Sequence, residues 1–252
     1  PDLKYAKIAA EHIGSIHHSI ELSSKDFLEA IENVIYDIES YCTTTVRASV
    51  GNWLVSKYIK ENSDIKVVFC GDGADECCGG YLYMGYAPGV HSFDKECIRL
   101  LENIHYYDVL RSDRTISSHG LEPRTPFLDR SFVASYLNLP VRLRFPEMGE
   151  EKKLLRDAFV GYLPDCVLYR RKEAFSDGVS SETESWHEIL KKYVQENKLA
   201  DCEETYYRNL IGKYYKNNYD IIPTKWMPKF IDATDPSART LTDAYKTITF
   251  KV

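Results

Sequence analysis

Three carboxylates and two glycines fall within Cys70-Gly71-Asp72-Gly73-Ala74-Asp75-Glu76, directly after the apolar run Val67-Val68-Phe69 and shortly before Gly79-Gly80-Tyr81. A strand that empties into such a loop suits a nucleotide and its metal. Glycines let backbone N–H groups approach phosphate oxygens, and carboxylates are hard ligands of the kind Mg²⁺ takes. Taken alone, the same residues also read as a surface turn, because Gly, Asp and Ala are common turn residues. Three further polar clusters flank it. Thr44-Thr45-x-Arg47 offers hydroxyls, free N–H groups and a guanidinium at the start of a helix, a set that can hold an anion but also reads as an ordinary cap. Residues 120–129, Gly-Leu-Glu-Pro-Arg-Thr-Pro-Phe-Leu-Asp, alternate charge with proline in a stretch too stiff for a casual linker. Arg170-Arg171-Lys172-Glu173-x-Phe175-Ser176-Asp177-Gly178 is a basic loop suited to polyphosphate, or a solvated face.

These clusters need a scaffold, and the periodicity supplies one. Residues 2–14 read as a helix ending at Gly14, and residues 17–22 alternate as a short strand. Ser23 and Asp26 form a capping-box pattern ahead of the apolar stripe Phe27, Leu28, Ile31, Val34, Ile35 and Ile38. A second helix is expected over residues 46–59 with Val50, Trp53 and Leu54 inward, then a buried strand over 66–70. Helices are further expected over 95–110, from Asp129 to Leu137, over 150–163, and in a last set from Trp186 to about Tyr215, with an irregular proline-containing tail from Ile221. Alternating helix and strand point to α/β layering, with a mostly helical C-terminal half.

Composition narrows the class. The chain has 252 residues, 44% hydrophobic and 28% charged, enough for one large domain over residues 1–252. A net charge of −6 argues against nucleic acid as partner, and no apolar run approaches a membrane span. Seven cysteines at irregular spacing read as free thiols of a reducing cytoplasm, and seven histidines show no metal spacing.

In order and spacing, the clusters resemble the synthetase domain of the glutamine-hydrolysing asparagine synthetases. That family's Thr-Thr-Ile-Arg-Ala-Ser corresponds to residues 44–49, with Val46 for Ile, and its Ser-Gly-[Glu/Asp]-Gly-[Ser/Ala]-Asp-Glu to residues 70–76, with Cys70 for Ser. Its Gly-Gly-Tyr, Gly-Val-Glu-x-Arg-x-Pro-Phe-Leu-Asp, Glu-Lys-x-x-Leu-Arg and Arg-x-Lys-Glu-x-Phe-Ser-Asp-Gly correspond to residues 79–81, 120–129, 151–156 and 170–178. The tail follows with Trp226-Met227-Pro228-Lys229 and Asp235-Pro236-Ser237-x-Arg239. The resemblance implies an incomplete parallel-sheet adenine-nucleotide fold of the ATP pyrophosphatase, HUP-like type. It implies adenylation of the aspartate side chain by ATP and Mg²⁺, then displacement of AMP by ammonia that an upstream glutaminase domain releases from glutamine, in a full-length protein that often dimerises. By position it assigns Cys70 and Gly71 to ATP, Asp72 to formation or use of the adenylate, Asp75 to Mg²⁺ and Lys172 to the pyrophosphate leaving group. Thr44, Thr45, Arg47 and Glu76 are assigned to holding or orienting substrate.

Two departures from the family pattern stand out. The pyrophosphate loop Ser-Gly-Gly-x-Asp-Ser, which lies upstream of the segment matching Pro1, is not found, and the chain as given is not expected to make asparagine by itself. In addition, Tyr86 stands where close family members carry Lys, and Cys42 where Asp is common. A related amide-forming adenylating ligase, such as a β-lactam synthetase, and a non-catalytic binding or scaffold homologue are the alternative readings.

Overall fold

The computed structural model describes residues 2–146, 150–178, 184–216, 225–233 and 235–236. It opens with α1 (Asp2–Ile13), closed by Gly14 at φ +70°. Residues 17–22 form no strand; they are largely exposed and pair with no strand among the described residues, so their alternation has nothing to bury against. Helix α2 (Ser24–Ile38) starts at a full capping box: the Asp26 amide donates to Ser23 Oγ at 3.3 Å, and the Ser23 amide donates to Asp26 Oδ2 at 2.7 Å. Its stripe is buried at Ile31, Val34, Ile35 and Ile38. Helix α3 (Thr43–Asn62) begins three residues earlier than the sequence suggests. The threonines 43–45 do not break it, because the Val46 amide already finds the Cys42 carbonyl at 2.8 Å.

Next comes β1 (Val67–Phe69), which is not the buried strand its composition implies: Val67 is 44% and Phe69 79% exposed. Among the described residues it has one strand neighbour, the parallel β2 (Glu122–Arg124), in the register Val67 to Glu122 and Phe69 to Arg124. A parallel pair needs a long crossover. Here that crossover carries α4 (Ala74–Cys78), a 3-10 turn at Leu82–Tyr86, α5 (Val90–Asn103), a 3-10 turn at Ile104–Tyr106, and α6 (Asp108–Ser117). The single helix expected over 95–110 is therefore two, separated at Tyr107, whose backbone (φ −126°, ψ −95°) is not helical.

Beyond β2, Asp129 caps α7 (Arg130–Leu137) by accepting from the amides of Ser131 and Phe132 at 2.9 and 3.1 Å. Among the described residues that follow are α8 (Val141–Arg144), α9 (Lys153–Ala158), α10 (Asp165–Leu168), α11 (Phe175–Gly178), α12 (Trp186–Glu196) and α13 (Glu203–Tyr214). The helix expected over 150–163 shrinks to α9: Lys152 just before it is left-handed, at φ 56°, and past its end Phe159 leaves helical geometry and Gly161 turns at φ 83°.

The largest core cluster joins Ile31, Val34, Ile35 and Ile38 of α2 to Val46 and Val50 of α3, Trp186 and Leu190 of α12, and Tyr207, Leu210 and Ile211 of α13. Each such aliphatic side chain contributes about 1.5–3 kcal/mol on full burial. A second cluster sets Tyr83, Met84, Phe93 and Cys97 against Trp226 of the tail. All seven cysteines are free thiols, and among the described residues no helix is long and apolar enough to cross a membrane. The architecture is mostly helical around a small parallel sheet, compatible with the α/β class.

Candidate active site

The C-terminal end of β1 delivers the acidic loop into a cavity of about 520 Å³ between α3, α6 and the loop that precedes α11. Gly73 makes the turn into α4: its φ is +90°, and a Cβ there would lie 2.3 Å from Leu128 Cδ2. The Cys70 amide donates to the Arg124 carbonyl at 2.8 Å, extending the β1–β2 ladder up to the mouth of the loop. On the opposite wall α3 approaches α11 closely, since a Cβ on Gly51 would meet Phe175 Cε1 at 2.6 Å. That contact seats the segment bearing Lys172 beside the helix bearing Thr44, Thr45 and Arg47.

All nine candidate residues line this one cavity: Thr44, Thr45, Arg47, Cys70, Gly71, Asp72, Asp75, Glu76 and Lys172. Asp75 is held between two ammonium groups, with Oδ1 accepting from Lys152 Nζ at 2.6 Å and Oδ2 from Lys172 Nζ at 2.5 Å. Burial works against the Asp75 carboxylate, but Lys172 and Lys152 outweigh it and hold it well below the usual range. Burial likewise opposes the Lys172 charge, and Asp75 more than restores it. The Lys172 backbone is anchored too, its amide donating to buried Glu151 Oε1 at 2.6 Å.

Asp72 accepts from Arg111 Nη2 at 2.5 Å and from the Ser112 hydroxyl. Arg111 also pairs with Asp108 at 3.0 Å. Glu76 is buried and accepts from the Tyr81 hydroxyl at 2.5 Å. Burial, then the nearby Asp108 and Asp75 charges, push the Glu76 carboxyl well above its ordinary value. Burial and the Asp72 charge raise the Cys70 thiol, which disfavours a thiolate there.

Arg47 is fully engaged. Its guanidinium grips Glu203 through Nε and Nη2 at 2.8 and 2.6 Å, and Asp235 through Nη1 and Nη2 at 3.0 Å each. His187 Nδ1 lies 2.7 Å from Nη2. This knot ties α3 to α12, α13 and the tail, and it forms a wall shared with a second cavity of about 530 Å³. The Thr45 hydroxyl is buried at the main cavity and finds no hydrogen-bond partner among the described residues.

The matched motifs did not single out Lys152, Asp108, Arg111 or Ser112 as site residues. Lys152 sits inside the Glu-Lys-x-x-Leu-Arg motif and could have been found there; Asp108 lies near the end of the helix expected over 95–110, and Arg111 and Ser112 follow in a polar stretch that carries no motif. Tyr86, like the tail residues Ile231 and Ala233, packs against Leu82, and it does not line the main cavity.

A family model described as asparagine synthase matches residues 1–89 and 85–228. The chain belongs to the asparagine synthase family. It is 44% identical over 259 residues to a chicken (Gallus gallus) protein named asparagine synthetase [glutamine-hydrolyzing], with 96% of this chain and 46% of the relative covered. Like-named proteins of Homo sapiens and Cricetulus griseus are 44% identical over 261 residues and 45% identical over 260 residues, with the same 96% and 46% coverage. The chain thus spans about half the length of these asparagine synthetases.

Proposed function

We propose that the cavity is the adenylation centre of an asparagine synthetase. ATP and aspartate meet in it, the aspartate side-chain carboxylate attacks the α-phosphorus to give β-aspartyl-AMP and pyrophosphate, and ammonia derived from glutamine then displaces AMP to give asparagine. The observation that carries this reading is the convergence of three sequence-distant segments, bearing nine motif residues, on one cavity. The parallel β1–β2 pair with its helical crossover supports an ATP pyrophosphatase, HUP-like sheet. The free thiols are in keeping with a cytoplasmic enzyme. The relatives' names support a glutaminase function in the natural polypeptide, and we extend the family's dimerisation to it.

The electrostatics divide the labour. Lys152, Lys172 and Asp75 together carry one net positive charge, which suits the departing pyrophosphate. Asp72, Asp108 and Arg111 carry one net negative charge. A fixed Asp72 carboxylate accepts a hydrogen bond from the incoming ammonia and favours the positive charge that develops on its nitrogen. Cys70 and Gly71 contact ATP through their backbone, and a Cβ built on Gly71 meets nothing within 4 Å. Thr44 and Thr45 supply hydroxyls to substrate, and Arg47 shapes the wall while neutralised by Glu203 and Asp235.

ATP would bring Mg²⁺ with its phosphates, and Asp75 is the carboxylate that would hold it: each of its oxygens accepts from one ammonium group and keeps a second lone pair. The ion would add positive charge on the polyphosphate to that of Lys152 and Lys172.

The test is ATP–pyrophosphate exchange by the full natural polypeptide that contains this chain. Exchange should require aspartate and should fall by about 100-fold or more in Lys172→Ala, the scale of losing one transition-state donor. Exchange driven equally by another carboxylic acid would favour a related amide-forming ligase, and no ATP binding by calorimetry would favour a non-catalytic homologue.

A further inference from the structure

We infer that Arg111 and Ser112, consecutive residues of α6, are positioning residues that fix the orientation of the Asp72 carboxylate toward the substrates. The inference rests on the reading of Asp72 given above.

Asp72 lies between Gly71 and Gly73, so its own loop offers little side-chain packing to hold it. What restrains it comes from α6. Arg111 Nη2 donates to Oδ1 at 2.5 Å and the Ser112 hydroxyl donates to Oδ2. With both oxygens engaged, the carboxylate plane is fixed, and each oxygen keeps one lone-pair direction free for substrate. Arg111 is itself fixed one turn earlier by Asp108, at 3.0 Å from Nη1.

The Ser112 hydroxyl also lies 3.0 Å from the Asp108 carbonyl, the usual resting place of a helical serine. It has one proton, and an ionised carboxylate is the stronger acceptor. Ser112 is 2% exposed, so water does not compete for that proton. The two donors differ in what they supply: Arg111 brings charge and geometry, Ser112 geometry alone. Replacing Ser112 therefore loosens Asp72 without altering the charge of the site.

The experiment is steady-state ammonia-dependent asparagine formation, with ATP–pyrophosphate exchange measured alongside, by the full natural polypeptide carrying Ser112→Ala, Ser112→Thr or Asp72→Asn, or both Asp72→Asn and Ser112→Ala. Ser112→Ala should lower kcat by about 10- to 100-fold, the worth of one hydrogen bond to a charged group. KM for ATP and aspartate should stay within about twofold, the melting temperature should hardly move, and Ser112→Thr should restore much of the rate. In the Asp72→Asn background, Ser112→Ala should cost almost nothing more, because the group it positions is gone. A wild-type kcat in Ser112→Ala, or a full multiplicative loss on top of Asp72→Asn, overturns the inference and leaves the adenylation reading standing. Absence of aspartate-dependent exchange in the wild type overturns both. Arg111→Lys, which keeps the charge but gives up the fork that spans Asp72 and Asp108, should lower kcat as well.

Discussion

Gly80→Ala adds one methyl group and should disable the lysine clamp on Asp75. The Gly80 amide donates to the Asp75 carbonyl at 2.8 Å, closing the end of α4. A Cβ at position 80 would stand 1.9 Å from Asp75 Oδ1, 2.7 Å from its Cγ and 2.8 Å from its Cα. No rotation of the alanine relieves this, so the Asp75 side chain has to leave its place. It then gives up the bonds from Lys152 at 2.6 Å and Lys172 at 2.5 Å. Hydrogen bonds to charged groups are worth about 1.5–3 kcal/mol each, so the pair amounts to about 3–6 kcal/mol. Set against a total stability of about 5–15 kcal/mol, that is a large share. At about 2–4 °C per kcal/mol for a domain of this size, melting should fall by about 6–24 °C. Thermal unfolding followed by circular dichroism measures it, together with Asp75→Ala and the double variant. With the carboxylate absent only the backbone approach remains, so Gly80→Ala should cost less than half as much in the Asp75→Ala background. Melting within about 2 °C of the wild type, or an undiminished cost in that background, would refute the reasoning.

Two further outcomes follow from the charge and surface pattern. Burial opposes the Glu203 carboxylate, but His187 and Arg47 outweigh it and lower its pKa on folding. The stability it contributes is therefore complete above the unfolded value of about 4.3 and is lost as pH falls through the lower folded value. Glu203→Gln should destabilise by about 3 kcal/mol at pH 7, and urea unfolding should show the gap closing in acid; a gap constant with pH would count against it. On the surface, Phe69 of β1 is 79% exposed on a strand with one neighbour among the described residues. The isolated chain should self-associate there, and Phe69→Lys should reduce association in sedimentation velocity; an unchanged profile would dismiss that edge as the cause.

Local physics wrote some elements plainly and left others to tertiary structure. The α2 stripe and its Ser23–Asp26 cap are readable because helix period and capping chemistry act within a few residues. The same holds for Asp129, whose cap needs only the amides two and three residues on. Strand β2 is not readable: Glu122-Pro123-Arg124 has no strand character, and Pro123 survives because it sits at an edge pairing of only three residues. Lys152 takes a left-handed backbone and donates to Asp75, so α9 starts where the site dictates. Among the site residues, those inside dense motifs were legible. Arg111 and Ser112 were not, because their partner lies 39 and 40 residues away in sequence.

The packing of Leu128 over Gly73 has a consequence for the order in which the chain folds. The shape of the acidic loop is set by a residue 55 positions downstream, and the Cys70 amide waits for the Arg124 carbonyl over a similar span. Helices α2 and α3 touch through neighbouring segments and can pair early, whereas the loop cannot adopt its working form until the whole crossover has closed and β2 has docked. The reactive geometry is thus expected to form only after that docking. A chain that has collapsed but not yet joined its two strands carries every chemical group of the site and still lacks the site itself.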